Sequence, residues 1–302
     1  MDIYLPIANM SVNALLIVAL GGLVGLLSGM FGVGGGFLTT PLLIFYGIPP
    51  TVAVASATTQ ITGSSVSGVY AHMRRGGVDL KMGLVMIAGG AIGSLAGAGL
   101  FRLLQNSGQI DLVIGFLYVM LLGGIGGLML KDALKALGWI EVEAPKERPR
   151  HNRWIAALPL RWRFYASGLY LSPVAPFILG FAAGVMTVLL GIGGGFILVP
   201  AMIYLLGMAP RVVVGTSLVM ILAVSAVTTM VHAMTTQAVD IVLAALLLVG
   251  GVVGAQYGAI LATRLKPDLL RFALAAIILL VALRMFLGLT WRPDEIFSIE
   301  NL

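Results

Sequence analysis

The chain has no cysteine, only three histidines and very little charge. The first absence excludes disulfides, thiol catalysis and cysteine-based metal sites. The histidines, His72, His151 and His232, are too scattered for a His-rich metal centre. Charged residues are 10% of the 302 positions and hydrophobic ones 59%, whereas soluble domains carry roughly a quarter charged residues. With a mean hydropathy of +1.05, the composition describes a polytopic membrane protein, and no cofactor is implied.

A second absence narrows the function. No Asp or Glu falls inside any apolar stretch; Asp79, Asp111, Asp240 and Asp268 all sit at predicted helix starts, where capping explains them. Cation and proton carriers usually keep a carboxylate in the membrane, and acid–base catalysis needs a carboxylate or histidine in the core. A membrane-embedded enzyme or a cation permease is therefore not expected.

The net charge of +6 does not indicate nucleic-acid binding. Eight of the 18 basic residues lie in one connecting segment between Lys131 and Arg163, and most others flank apolar stretches. That distribution is topology charge. The N-terminal stretch has no basic n-region and no small-residue cleavage site, so it reads as the start of the first transmembrane segment, not a cleaved signal peptide.

What the chain does have is a duplicated peptide. Gly32-Val33-Gly34-Gly35-Gly36-Phe37 recurs as Gly191-Ile192-Gly193-Gly194-Gly195-Phe196, with Pro41 and Pro200 at equal distances beyond. Such a glycine run breaks a continuous helix. In a membrane, broken backbone survives only where it is buried in protein or lines a cavity, and paired breaks in two halves point to a transporter's binding site.

Apolar stretches occur at Ala14–Met30, Phe37–Tyr46, Val52–Tyr70, Met82–Leu104 and Leu112–Leu130. They repeat in order at Ala175–Leu190, Phe196–Met208, Val212–Val231, Val239–Leu261 and Leu269–Leu289. The second stretch of each set is too short to span a bilayer and reads as a half-helix. The repeat extends beyond the glycines: Gly47 and Pro50 match Gly207 and Pro210, His72 matches His232, and Val78-Asp79 matches Val239-Asp240. Gly89-Gly90, Gly93 and Gly97 likewise match Gly250-Gly251, Gly254 and Gly258.

Positive charge marks the cytoplasmic side, and matching loops carry it oppositely. Arg74, Arg75 and Lys81 follow the third segment of the first half, where the second half has uncharged Thr235 to Ala238. Arg264, Lys266 and Arg271 follow the fourth segment of the second half, where the first has Arg102 alone. The expected fold is thus an all-α polytopic membrane protein. It comprises two inverted-topology repeats of about five hydrophobic segments each, with broken or re-entrant helices at the GxGGG motifs. The repeats would be residues 1–130 and 172–302, joined by a basic cytoplasmic linker, 131–171, with both termini periplasmic. Trp139, Trp154, Trp162 and Trp291 all fall outside the apolar stretches, as aromatic anchors in contact with membrane lipid do.

An anion can be bound without buried carboxylates, by backbone N–H groups, hydroxyls and amides. Glycine breaks followed by a helix supply N–H groups and about half a positive charge. The candidate substrate-binding residues are therefore Gly34, Gly35, Gly36, Gly193, Gly194 and Gly195, although a tight turn between packed helices would also use glycine. The third segments add Thr58, Thr59, Gln60, Thr216 and Ser217. Single hydroxyls often serve helix packing, but a buried amide needs several partners. His72 and His232 close the third segments and are candidate gate or pH-sensitive residues, with interfacial packing as the alternative. Arg284, near the end of the last apolar stretch, is read as snorkelling to the interface.

The pair GVGGGFLTTP and GIGGGFILVP, each followed by a G-x-x-P turn and a third segment opening Ala-Ser or Gly-Thr, resembles the sulfite exporter TauE/SafE family over roughly residues 15–290. The resemblance implies a bacterial or archaeal inner-membrane transporter of small sulfur-containing anions, such as sulfite, sulfoacetate and related sulfonates. Copy one departs from copy two at Thr39-Thr40 (Leu198-Val199) and Ala55-Ser56 (Gly215-Thr216), which leaves substrate identity open. The expectation is a secondary transporter exporting such an anion by alternating access. The alternative is a passive anion channel on the same scaffold.

Overall fold

The computed structural model describes residues 2–31, 35–74, 76–136, 161–262 and 267–290. Gly34, most of the linker with Trp139 and Trp154, His151, Arg75, Arg264, Lys266 and the C-terminal tail lie outside the described residues. So do the side chains of Asp268 and Arg271.

The helices of the first half are α1 (Ala14–Phe31), α2 (Gly36–Phe45), α3 (Pro50–Arg74), α4 (Leu80–Asn106) and α5 (Ile110–Ala136). Those of the second are α6 (Val174–Leu190), α7 (Gly195–Tyr204), α8 (Pro210–Thr235), α9 (Ile241–Ala262) and α10 (Pro267–Thr290). Five of them, α4, α5, α8, α9 and α10, are long and apolar enough to cross a membrane. Helix α3 is as long but carries Ser56, Thr58, Thr59, Gln60, Thr62, Ser64 and Ser65. It packs against α2, α8 and α9, so its polar atoms face protein, where partners exist, and not lipid.

Two features amend the expectation from sequence. Residues 2–13, read as the start of the first membrane segment, instead form an antiparallel hairpin, β1 (Asp2–Leu5) with β2 (Met10–Asn13), and the helix begins only at Ala14. The linker also ends in order, with a hairpin of β3 (Trp162–Phe164) and β4 (Leu169–Leu171), while its first residues, 131–136, continue α5. Both hairpins precede the first helix of a half, so the described residues form a helical fold with two small sheets. Strands of three or four residues are too short to leave a period-two pattern in sequence.

The aspartates explain how each hairpin is held. Asp79 caps α4 by accepting from Met82 N–H at 3.0 Å, and it also accepts from Ser167 N–H at 3.0 Å and Ser167 Oγ at 2.6 Å, in the β3–β4 turn. Asp240 accepts from Leu243 N–H at 3.1 Å at the start of α9 and from Ile7 N–H at 3.2 Å in the β1–β2 turn. Each half's fourth helix thus fastens the hairpin of the other half. The same reciprocity recurs beside them: Asp79 N–H donates to Thr216 Oγ1 at 2.9 Å, and Asp240 N–H to Ser56 Oγ at 3.2 Å.

The repeated glycines have a packing reason. Gly21, Gly25 and Gly29 of α1 lie on the backbone of Leu247, Gly251 and Ala255, while Gly250, Gly254 and Gly258 of α9 lie on Val18, Gly22 and Leu26. Gly89, Gly93 and Gly97 of α4 lie in the same way on Phe177, Phe181 and Val185 of α6. A Cβ at any of these glycines would press on the neighbouring backbone. Small residues let membrane helices approach until dispersion forces hold them. Each half's first helix therefore packs, parallel, on the fourth helix of the other.

The contact registers also give directions for equivalent helices. Thr59 meets Thr229 and Gly68 meets Leu218, so α3 and α8 run antiparallel. Gly115 meets Leu289 and Gly126 meets Ile278, so α5 and α10 do too. Large apolar side chains stay exposed on the outward faces of α4, α5, α9 and α10, among them Leu84, Leu95, Leu112, Phe116, Val249, Val253 and Leu280. A soluble monomer rarely shows so broad an apolar surface; here it is the lipid-facing belt of a multi-pass membrane protein.

Candidate functional site

Helix α6 ends at Leu190, and Gly191 caps it in the left-handed region (φ 68°), its N–H donating to Thr187 O at 2.8 Å. Gly193 and Gly194 follow at φ 70° and 77°. Side-chain-bearing residues seldom adopt this conformation, so the turn into α7 requires glycine at three of four successive positions. Tight-turn geometry, the alternative weighed for these glycines, therefore accounts for part of the motif. It does not account for what the turn presents.

Gly35 and Gly194 are the N-caps of α2 and α7, and neither helix start has a side-chain cap. The first N–H groups of a helix have no partner within it, and both starts are buried. The two starts meet in the interior. A Cβ on Gly36 would overlap Ile61 and lie 2.9 Å from the carbonyl oxygens of both Gly191 and Ile192. Next to that contact Phe37 and Phe196 stack, with ring centroids 4.7 Å apart and planes 11° from parallel. Both rings are 1% exposed. The two motifs are in direct contact, and the space expected for substrate between them is filled by these two phenylalanines.

Polar groups surround the junction. Thr39 Oγ1 donates to Gly35 O at 3.1 Å and reaches Gln60 Oε1 at 3.3 Å. Gln60 is buried, and its amide nitrogen occupies the room left by the missing side chain of Gly251. Thr40 Oγ1 lies against Gly191, beside the Tyr118 hydroxyl, which donates to Leu190 O. Ser225 Oγ lies against Gly193. The Thr40 hydroxyl has only the Tyr118 hydroxyl beside it, and the Ser225 hydroxyl completes no hydrogen bond among the described residues. A buried hydroxyl left so costs about 1–3 kcal/mol, a cost that an anionic oxygen at this place would remove.

Of the candidates named from sequence, Gly35, Gly36, Gly193, Gly194, Gly195 and Gln60 come together here. Thr58 is adjacent, its hydroxyl donating to Val54 O at 2.8 Å in its own helix, and Val54 lies against Gly191. Thr59 turns to the side, donating to Ala55 O at 3.1 Å and facing Thr229 Oγ1 at 3.5 Å. Thr216 and Ser217 are not part of the cluster. Thr216 serves the Asp79 junction, and Ser217 Oγ donates to Val214 O at 3.0 Å. They sit about 13 Å along α8 from Ser225, at 1.5 Å per residue.

Six residues of the cluster were not among the site candidates named from sequence: Phe37, Phe196, Thr39, Thr40, Tyr118 and Ser225. The phenylalanines end both copies of the motif, a signal hidden by their resemblance to ordinary core residues. Ser225 and Ser65 occupy equivalent positions in α8 and α3, both buried, and that match was available.

The two histidines differ. His232 is wholly buried, with Nε2 3.1 Å from Val188 O, Nδ1 3.3 Å from Thr236 Oγ1 and the Phe101 ring edge-on at 5.1 Å. His72 is only half-buried at the corresponding end of α3.

A lipid-facing belt around helices that break in pairs, with the breaks meeting at buried polar groups, is the architecture of a membrane transporter. The family model for sulfite exporter TauE/SafE matches residues 17–285, and the chain belongs to that family. It is 28% identical over 286 residues to a probable membrane transporter protein of Xylella fastidiosa (strain Temecula1), covering 94% of this chain and 97% of that one. It is 30% identical over 279 residues to the probable membrane transporter protein YjnA of Bacillus subtilis, covering 89% and 98%. A shorter match, 33% over 129 residues, links it to sulfite exporter TauE/SafE family protein 3 of Arabidopsis thaliana, covering 39% of this chain and 27% of that one. No solved structure matches the chain.

Proposed function

We propose that this protein is a secondary transporter that exports a small sulfur-containing anion, sulfite, sulfoacetate or a related sulfonate, across the bacterial inner membrane by alternating access. The observation that carries the proposal is the meeting of two buried helix starts without side-chain caps beside the buried hydroxyls of Thr40 and Ser225, of which Ser225 has no partner among the described residues. Oxyanion oxygens would accept from the N–H groups at the starts of α2 and α7 and from Thr40, Ser225, Thr39 and Gln60. The helix dipoles would favour the negative charge.

Antiparallel pairing of α3 with α8 and of α5 with α10 supports an inverted-topology repeat. Lys81 lies by the β3–β4 hairpin, its Nζ donating to Arg163 O at 3.2 Å. Arg74, Lys81 and the linker would therefore share one face, the cytoplasmic one by the positive-inside rule, with the termini periplasmic. The half-helices α2 and α7 would be re-entrant, not spanning.

Transport on this scaffold requires the Phe37–Phe196 stack to part, so that one half rocks against the other. The close packing at the centre favours a carrier over an open pore. Export of an anion would be driven by an inside-negative potential worth about 2.3 kcal/mol per charge per 100 mV.

The test is thermal stabilisation of the detergent-solubilised protein by sulfite, sulfate, thiosulfate, sulfoacetate, acetate and phosphate, since a ligand of the folded state raises the melting temperature. A shift confined to sulfur oxyanions or sulfonates is expected. A shift with carboxylates alone, or with none of the panel, contradicts the substrate class.

A further inference from the structure

Away from the central junction, a cavity of about 360 Å³ opens between the C-terminal end of α2, the N-terminal end of α5 and the C-terminal end of α10. Its apolar walls include Phe45, Pro50, Leu112 and Leu289; its charged groups are Arg284 and Asp111. Arg284 is a charged residue within a membrane-crossing helix, a placement that is costly and marks a functional contact by default. Its guanidinium is held over the Phe45 ring, 5.2 Å from the centroid. The side chain that sequence reading assigned to simple snorkelling therefore lines a defined cleft.

Three observations specify the occupant. First, the cleft opens onto lipid: Leu112, Phe116, Leu283 and Phe286 are exposed beside it on α5 and α10. Second, its depth fits a headgroup. Arg284 is about 9 Å from the end of α10 at 1.5 Å per residue, and Asp111 lies in the first turn of α5, so both sit just inside one membrane face. Third, the charges are one of each sign. A lone phosphate would meet the Asp111 carboxylate, and an anionic lipid likewise. A headgroup joining a phosphodiester to a primary ammonium satisfies both, with the guanidinium forking onto phosphate oxygens and the carboxylate accepting from the ammonium.

We propose that the α2–α5–α10 cleft binds a zwitterionic phospholipid of the ethanolamine type, its phosphodiester on Arg284 and its ammonium on Asp111. The bound lipid touches Ile44 and Phe45, the last turn of the half-helix whose first turn forms the central junction. It would brace α2 from outside. The site does not depend on which anion is transported, and its test needs no transport substrate.

The test compares the purified full-length protein with Arg284→Gln and Asp111→Asn variants. Melting temperature is followed as dioleoyl phosphatidylethanolamine, phosphatidylcholine or phosphatidylglycerol is titrated into mixed micelles, and soluble glycerophosphoethanolamine is run beside them. Wild-type protein should be stabilised most by the ethanolamine lipid. Arg284→Gln should weaken that response on the order of tenfold to a hundredfold, the value of a charged hydrogen bond or two. Asp111→Asn should keep a response to phospholipid but lose the preference for ethanolamine over choline, a readout that misfolding would not mimic. Equal stabilisation by all three lipids, or an unchanged response in Arg284→Gln, would overturn the proposal. Full stabilisation by the soluble headgroup alone would transfer the site to a soluble ligand and overturn the lipid assignment.

Discussion

The ends of α3 and α8 are the same place in two copies of one design, yet they are built differently. At the end of α8, His232 is clamped between Val188 O and Thr236 and covered by Phe101, with Tyr118 closing onto Leu190 O nearby. At the end of α3, His72 is half open. In the repeat register, the positions matching Val188 and Phe101 are Gly29 and Ala262. One copy has bulk where the other has almost none. A duplicated scaffold thus acquires polarity from a few side-chain volumes: the His232 end is sealed by packing, and at the His72 end the two matching positions hold only Gly29 and Ala262. The central helices show a second division. Helix α3 carries Thr58, Thr59 and Gln60 where α8 carries Leu218, Val219 and Met220, so at these three positions the first half supplies polar groups and the second apolar ones.

The largest expected effect comes from the turn both halves share. Gly194→Val would force a branched side chain to φ 77°, with its Cβ 3.2 Å from that of Ala183. Such backbone strain costs about 1–3 kcal/mol before any clash. Gly36→Val would collide with Ile61 and the opposite turn. Both variants should insert in the membrane and fail to transport. Normal uptake by both in proteoliposomes would remove the glycine junction from the mechanism.

The histidine comparison can be broken next. His232→Leu removes two hydrogen bonds in a buried place and strands the Val188 carbonyl, a loss of about 1–3 kcal/mol. His72→Leu, half exposed, should stay within about 0.5 kcal/mol. Melting temperatures of the two variants measure the difference; equal losses would mean the asymmetry is not energetic. Because the chain has no native cysteine, His72→Cys and His232→Cys sharpen the same contrast. A polar maleimide should label the first and spare the second.

Gln60→Leu is expected to weaken anion affinity on the order of tenfold, through one lost hydrogen bond to a charged ligand, with little change in folding. Unchanged affinity by ligand-induced melting would exclude Gln60 from the site. The smallest effect belongs to Thr216→Val, which should cost about 1 kcal/mol at the Asp79 junction and leave anion affinity alone. An affinity loss there would return Thr216 to the binding site.

Much of this was legible in sequence because glycine, proline and aspartate carry positional meaning. The duplicated glycines located both helix breaks, and the expected short segments beginning at Phe37 and Phe196 differ from α2 and α7 by a residue at their starts. Asp79 and Asp240 were read correctly as caps. Hydroxyls were harder. Thr216 and Thr40 are the same residue type in similar apolar surroundings, and only the fold tells which one faces a partner's N–H and which one faces none. The phenylalanine stack was missed because an aromatic in an apolar run has the same sequence signature whether it fills a core or closes a gate. The hairpins were missed because their residues are few and their anchoring comes from a distant half.

The measurement that bears most directly on the central claim is counterflow. Proteoliposomes holding the purified protein would be preloaded with unlabelled sulfite and diluted into a trace of labelled sulfite. A carrier that alternates between two closed ends should drive a transient accumulation of label above equilibrium, and Gly194→Val should abolish it. Label that rises only to equilibrium, at the same rate with or without preloading, would contradict alternating access and point to a pore.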